Sequence, residues 1–158
     1  MKIIQVSLRV NGIPYHVETY PNRTLLDLLR EDLGLTGAKD GCGGEGECGA
    51  CTVLLDDEPV NACMVLAGQA DARNIVTIEG LTTNGELSYV QKAFTESGAV
   101  QCGFCTPGAV LATTALLKRR SKPNDDEILE ALSGNLCRCT GYYKILDAVH
   151  RAAGKDLE

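Results

Sequence analysis

The spacing of its cysteines constrains this chain more than any other feature. Eight cysteines fall into two sets. The second set opens with Gln101-Cys102-Gly103-Phe104-Cys105-Thr106-Pro107-Gly108, a CxxC, and closes with Cys137-Arg138-Cys139-Thr140-Gly141-Tyr142, a CxC. Each pair is followed at once by a Thr and then by a helix start. Thr106 is predicted to N-cap a helix with Pro107 at its first position, and Thr140 to N-cap another. Both pairs are then expected at helix N-termini, where free N–H groups and the helix dipole favour anionic sulfur. Four such thiolates, in a chain with only two His, describe a sulfur-rich metal centre: an iron–sulfur cluster or a structural zinc.

Metal is favoured over disulfides. The opening Met1-Lys2-Ile3-Ile4-Gln5-Val6-Ser7 does not read as a secretion signal, and six of the eight cysteines lie in tight CxxC or CxC pairs. A cytoplasmic chain is expected. No run is long enough to span a membrane, and a net charge of −6 argues against nucleic acid as the main partner. Lys118-Arg119-Arg120 is read as cations at a helix C-terminus.

The first set lies in Asp40-Gly41-Cys42-Gly43-Gly44-Glu45-Gly46-Glu47-Cys48-Gly49-Ala50-Cys51. So many glycines predict a loop. Gly41, Gly43 and Gly46 formally match G-x-G-x-x-G, but that dinucleotide fingerprint needs a strand before it and a helix after. Here a helix precedes and a strand, Thr52-Val53-Leu54-Leu55, follows. The glycines instead allow backbone N–H groups to turn toward sulfur, with positive φ where needed. Cys63 stands ready as a fourth ligand beside Cys42, Cys48 and Cys51. Glu45 and Glu47 are read as solvated loop charges.

The fold expected is α+β. Residues 3–10 and 13–20 alternate, with Asn11-Gly12 between them, and predict a β-hairpin. Thr24 and Asp27 form a capping box for a helix to about Leu33. Asp56-Asp57-Glu58-Pro59 reads as a turn, Met64–Ala70 as a short helix and 74–78 as a last strand. Four helices are expected thereafter, capped by Ser88, Thr106, Asn124 and Thr140, with the second cysteine set in their two tight connections. Domains are placed at 1–80 and 88–158, joined by a linker over 81–87.

GCGGEGECGACTV followed by Cys63 resembles the plant-type ferredoxin cluster loop. QCGFCTPG with GNLCRCTGY resembles the second cluster motif of the molybdenum hydroxylases. Almost the whole chain is similar to the small iron–sulfur subunit of that family, which includes the xanthine dehydrogenases. The resemblance implies a plant-type ferredoxin-like β-grasp domain followed by a four-helix-bundle domain, each holding one [2Fe–2S] cluster. It implies Cys42, Cys48, Cys51 and Cys63 as ligands of the first cluster, and Cys102, Cys105, Cys137 and Cys139 as ligands of the second. It places Gln101 and Cys139 against a molybdenum–pterin cofactor on a large partner subunit, with FAD on a medium one, in a heterotrimer or a dimer of heterotrimers. The implied function is electron transfer from the molybdenum site to FAD, with a purine or another N-heteroaromatic as substrate. Arg138 is expected to pair with a carboxylate. One departure stands out: the plant-type spacing is C-x₄-C-x₂-C, whereas Cys42 and Cys48 enclose five residues.

Two other classes compete. A freely diffusing two-cluster carrier would suit the acidic surface but would lack a large exposed apolar face. A zinc scaffold with two Cys₄ sites would need spacings that CxC and the long loop do not offer. No catalytic constellation is visible: His16 falls on a strand and His150 on a helix.

Overall fold

The structure, a computed structural model, describes residues 2–154. Its first half is a five-stranded mixed sheet of β1 (Ile4–Val10), β2 (Ile13–Thr19), β3 (Thr52–Leu55), β4 (Glu58–Asn61) and β5 (Asn74–Val76), in the order β2-β1-β5-β3-β4. Strands β1 (Ile4–Val10) and β2 (Ile13–Thr19) form the expected hairpin, with Val6 opposite Val17. Asn11 and Gly12 both adopt positive φ, as a two-residue turn between twisted strands demands. Strand β5 (Asn74–Val76) runs parallel to β1 and antiparallel to β3 (Thr52–Leu55).

The structure adds a strand, β4 (Glu58–Asn61), where the sequence predicted a turn and the approach to a helix. Asp56 and Asp57 both have positive φ and make the turn themselves. Pro59 then enters the strand, which is possible because β4 is the outer strand of the sheet.

Thr24 closes its capping box with Asp27, the side-chain oxygen accepting from the Asp27 N–H at 3.1 Å. The helix it starts is short. One α turn, α1 (Leu25–Asp27), runs into a π-helical turn at Leu28–Asp32. The wider turn keeps Leu25, Leu26, Leu28 and Leu29 all buried in one core with Val6, Leu8, Val10, Val53 and Ile75. The helix expected over Met64–Ala70 is instead two 3₁₀ turns, Ala62–Met64 and Ala67–Ala70.

The second half holds α2 (Tyr89–Glu96), α3 (Thr106–Arg119), α4 (Asp125–Leu132) and α5 (Tyr143–Ala152). Ser88 with Gln91, and Asn124 with Glu127, make the capping boxes that the sequence indicated. The other two caps differ. Cys105 is the N-cap of α3, so Thr106 already lies inside the helix, and α5 begins after Tyr142 with no side-chain cap.

Helix α3 is buried on nearly every side, not along one stripe. Val110 and Ala112 face the helical core, while Leu111 and Ala115 pack with Leu54 of the sheet. Small residues make this possible: a side chain on Gly108 would lie 2.2 Å from the Gly49 carbonyl oxygen. At the far end of α3, Lys118 pairs with Asp57 at 2.7 Å and Arg119 with Glu58. The basic run thus ends a helix, as read, and also ties it to the sheet. Among the described residues no helix is long and apolar enough to cross a membrane.

Candidate metal centres

The first cysteine set is built on the loop between the π turn and β3. Gly43, Gly44, Gly46 and Gly49 all have positive φ, between 69° and 85°. Asp40 Oδ1 accepts from the Gly43 and Gly44 N–H groups at 2.7 and 3.2 Å. Those two N–H groups are therefore turned to a carboxylate and not to sulfur. Across this tight turn Cys42 lies close enough to Cys48 for the two thiols to shift one another's acidity. Asn61 fixes the far side of the loop, its Nδ2 donating to the Gly46 carbonyl at 2.7 Å. Cys51 precedes β3 and Cys63 sits in the first 3₁₀ turn. Both are buried, and their sulfurs are 3.4 Å apart.

The second set divides the same way. Cys102 and Cys139 are exposed, with sulfurs 3.6 Å apart. Cys105 and Cys137 lie further in, close enough for each to shift the other's acidity. A cleft of about 230 Å³ opens on all four and reaches Cys48 of the first set. Phe104 borders it and packs on Gly41, where an added Cβ would lie 3.1 Å from the ring. Gln101 is exposed beside Cys102, and Arg138 is exposed and makes no ion pair among the described residues. Its expected carboxylate partner is therefore not found.

The electrostatics fit thiols arranged in twos. Backbone N–H groups of Glu47 and Cys48 hold Cys42 down at about 7, while burial pushes Cys48 up. Burial, reinforced by Cys51, drives Cys63 up to about 12. Burial and Cys137 do the same for Cys105, also to about 12. Burial pushes Cys137 up as well, but the Thr140 hydroxyl and N–H outweigh it and bring the thiol to about 7. The Phe104 N–H lowers Cys102, and the Cys102 sulfur beside Cys139 raises that thiol. Adjacent thiols thus resist losing both protons without a cation between them. Metal ligation requires that loss, and the metal charge supplies the cation.

Each site offers two pairs of sulfurs. Among the described residues no three His, Cys, Asp or Glu side chains gather into a single-ion site. The donor set of each site is four thiols, two of them in direct sulfur contact. It suits a [2Fe–2S] core, in which four cysteines are shared between two irons. The donor set therefore fits the group.

A bridge joins the two sites, and sequence reasoning missed it. The Leu136 N–H donates to the Cys48 carbonyl at 2.9 Å. Asn135, buried, donates from Nδ2 to the Gly49 carbonyl at 3.1 Å and to Thr52 Oγ1 at 3.2 Å. Asn135 stands within the cysteine motif, two positions before Cys137, and only that placement hinted at a role. His16 hydrogen-bonds Ser7 and His150 faces Asp125, so neither joins a site.

Comparison with known proteins agrees with this division. Residues 8–76 match the 2Fe-2S iron-sulfur cluster binding domain, and residues 77–150 match the [2Fe-2S] binding domain. The chain is 55% identical over 152 residues to the nicotinate dehydrogenase small FeS subunit of Eubacterium barkeri, covering 96% of each. It is 50% identical over 148 residues to the xanthine dehydrogenase iron-sulfur-binding subunit of Escherichia coli O157:H7, covering 92% of each. Among solved structures it superposes on a chain of quinoline 2-oxidoreductase from Pseudomonas putida 86 with a TM-score of 0.92 and 42% identity, over 97% of this chain and 94% of that one. With two cluster-binding domains in this order, the chain belongs to the iron–sulfur, electron-transferring subunits of the molybdenum hydroxylase family typified by xanthine dehydrogenase.

Proposed function

We propose that all eight cysteines are ligands. Cys42, Cys48, Cys51 and Cys63 would hold one [2Fe–2S] cluster, and Cys102, Cys105, Cys137 and Cys139 the other. The units are residues 1–80 and 88–158, with 81–87 between them. When bound, the clusters supply one-electron transfer, and the rest of the work belongs to the protein. The exposed Cys102–Cys139 pair faces outward to receive electrons, and Gln101 and Cys139 lie against a molybdenum–pterin cofactor on a large partner subunit. The Cys48 side of the first set continues the route toward FAD on a medium subunit. The assembly is a heterotrimer or a dimer of heterotrimers in the cytoplasm.

The observation that carries this reading is the pairing of the sulfurs, with one pair exposed and the Leu136–Cys48 hydrogen bond connecting the two sites. The exposed Phe104 and Leu136 border the same cleft as Cys102 and Cys139. An apolar rim around an electron port suits a lasting partner better than a freely diffusing carrier. An N-heteroaromatic substrate is supported by relatives named for nicotinate and xanthine and a structural neighbour named for quinoline.

The test is the content of iron and acid-labile sulfide per chain, on protein purified anaerobically with its partners. About four of each is expected for two [2Fe–2S] clusters, with molybdenum and flavin in the same fraction. Two zincs and no sulfide would overturn the redox reading. Iron and sulfide without molybdenum or flavin would favour the free carrier.

A further inference from the structure

Thr140 has a hydroxyl that could cap α5, and the protein uses it elsewhere. Its Oγ1 lies 3.1 Å from Cys137 Sγ, and its backbone N–H reaches the same sulfur at 3.5 Å. Two further bonds close a ring around this contact. The Tyr142 N–H donates to Thr140 Oγ1 at 3.2 Å, and the Cys137 N–H donates to the Tyr142 hydroxyl oxygen at 3.0 Å.

The ring fixes the direction of the hydroxyl. A threonine hydroxyl has one proton and two acceptor lone pairs. Because Thr140 Oγ1 accepts from Tyr142, its own proton is left to point at the sulfur. The Tyr142 N–H is aimed by an unusual backbone: Gly141 has φ 61° and Tyr142 φ 70°. Left-handed backbone is costly for a bulky residue and persists only where its surroundings enforce it. Helix α5 also starts without a side-chain cap. Both sacrifices place one O–H on one sulfur. Among the described residues no other side-chain hydroxyl donates to a cysteine sulfur.

We propose that Thr140 is a positioning residue that raises the midpoint potential of the second cluster by donating its hydroxyl proton to Cys137 Sγ, with Tyr142 holding that hydroxyl in aim. The inference rests on the reading that Cys137 is a cluster ligand. Its physical basis is charge. The reduced centre carries one more electron than the oxidised one, so a donor on a ligand sulfur favours reduction. One electron arrives from the molybdenum partner and one leaves to the flavin partner. The hydroxyl keeps its proton throughout.

The experiment uses the whole complex, carrying Thr140→Val, Thr140→Ala or Thr140→Ser. Midpoint potentials of both clusters are read by electron paramagnetic resonance during dithionite titration, with iron per chain measured alongside. Val and Ala are each expected to move one cluster to lower potential while the other cluster and the iron content stay as in the unsubstituted complex. Ser, which keeps the hydroxyl, is expected to restore most of the shift. An exchangeable-proton coupling in the reduced second cluster should be lost in Val and kept in Ser. No shift in Val and Ala, or the same shift in Ser, overturns the proposal. Iron loss in Val and Ala overturns it too, because the hydroxyl would then hold the loop and not tune the sulfur. Failure of the underlying reading looks different: the unsubstituted complex itself would show fewer than two cluster signals.

Discussion

The Leu136 N–H donates to the carbonyl oxygen of Cys48 across 2.9 Å. One hydrogen bond therefore connects a cysteine of the first site to the residue beside Cys137 of the second. Asn135 supports it from inside by bonding Gly49 and Thr52.

Asn135→Ala is expected to lower stability by about 1–3 kcal/mol, the cost of leaving buried polar groups unpaired. Thermal unfolding of the cluster-loaded protein measures it. Asn135→Asp should do no better, because a carboxylate would face the Gly49 carbonyl in place of a donor. If both variants melt with the unsubstituted protein, the bridge has no structural weight.

Gly108→Ala tests the same junction from the helix side. The new Cβ would lie 2.2 Å from the Gly49 carbonyl oxygen, a backbone atom that cannot swing aside as a side chain could. Overpacking of this kind costs typically about 1–3 kcal/mol. Hydrogen exchange at the Leu136 amide is the direct readout, and faster exchange in the variant is expected. Unchanged protection would mean that α3 shifts without opening the bridge.

The ion pairs at the other end of α3 should matter far less. Lys118 and Asp57 are both more than half exposed, and such pairs are worth about 0–1 kcal/mol. Lys118→Ala is expected to change the melting temperature little, and less still at high salt. A large drop would show that this pair carries the domain contact.

Cys139→Ser probes the outer pair. A serine oxygen can still ligate iron, so the second cluster should persist with an altered potential. Stopped-flow measurement should then show substrate still binding to the partner but electrons leaving it more slowly. Unchanged turnover together with an unchanged cluster spectrum would remove Cys139 from the route.

Burial should separate the two sites under a chelator. Cys51 and Cys63 are buried, whereas Cys102 and Cys139 are exposed. Iron is expected to leave in two phases, the second cluster's first, and docking of the large partner should slow only that phase. A single phase would mean that exposure of the sulfurs does not govern loss.

What could be read from the sequence was local in origin. The capping boxes of Thr24, Ser88 and Asn124 each close within three residues, and the structure contains all three. The glycine loop was legible because positive φ leaves few alternatives to glycine. Strand β4 was not, since Asp56, Asp57 and Pro59 signal a turn until the open edge of the sheet is known. Thr140 was misread for a related reason: a helix cap and a sulfur donor demand the same residue type. Only the left-handed Tyr142 separates the two uses, and nothing in a tyrosine's chemistry announces that conformation. The Asn135–Gly49 contact joins residues 86 apart and has no local signal at all.

Helix α3 has a consequence for descent. Leu54 of the sheet is wholly buried, and Leu111 and Ala115 of the helix close over it. A gene cut between the two cluster-binding regions would leave each half with an apolar wound. Recombination would therefore find it hard to borrow one half without the other, and a lineage keeping this packing would inherit both clusters as one heritable unit.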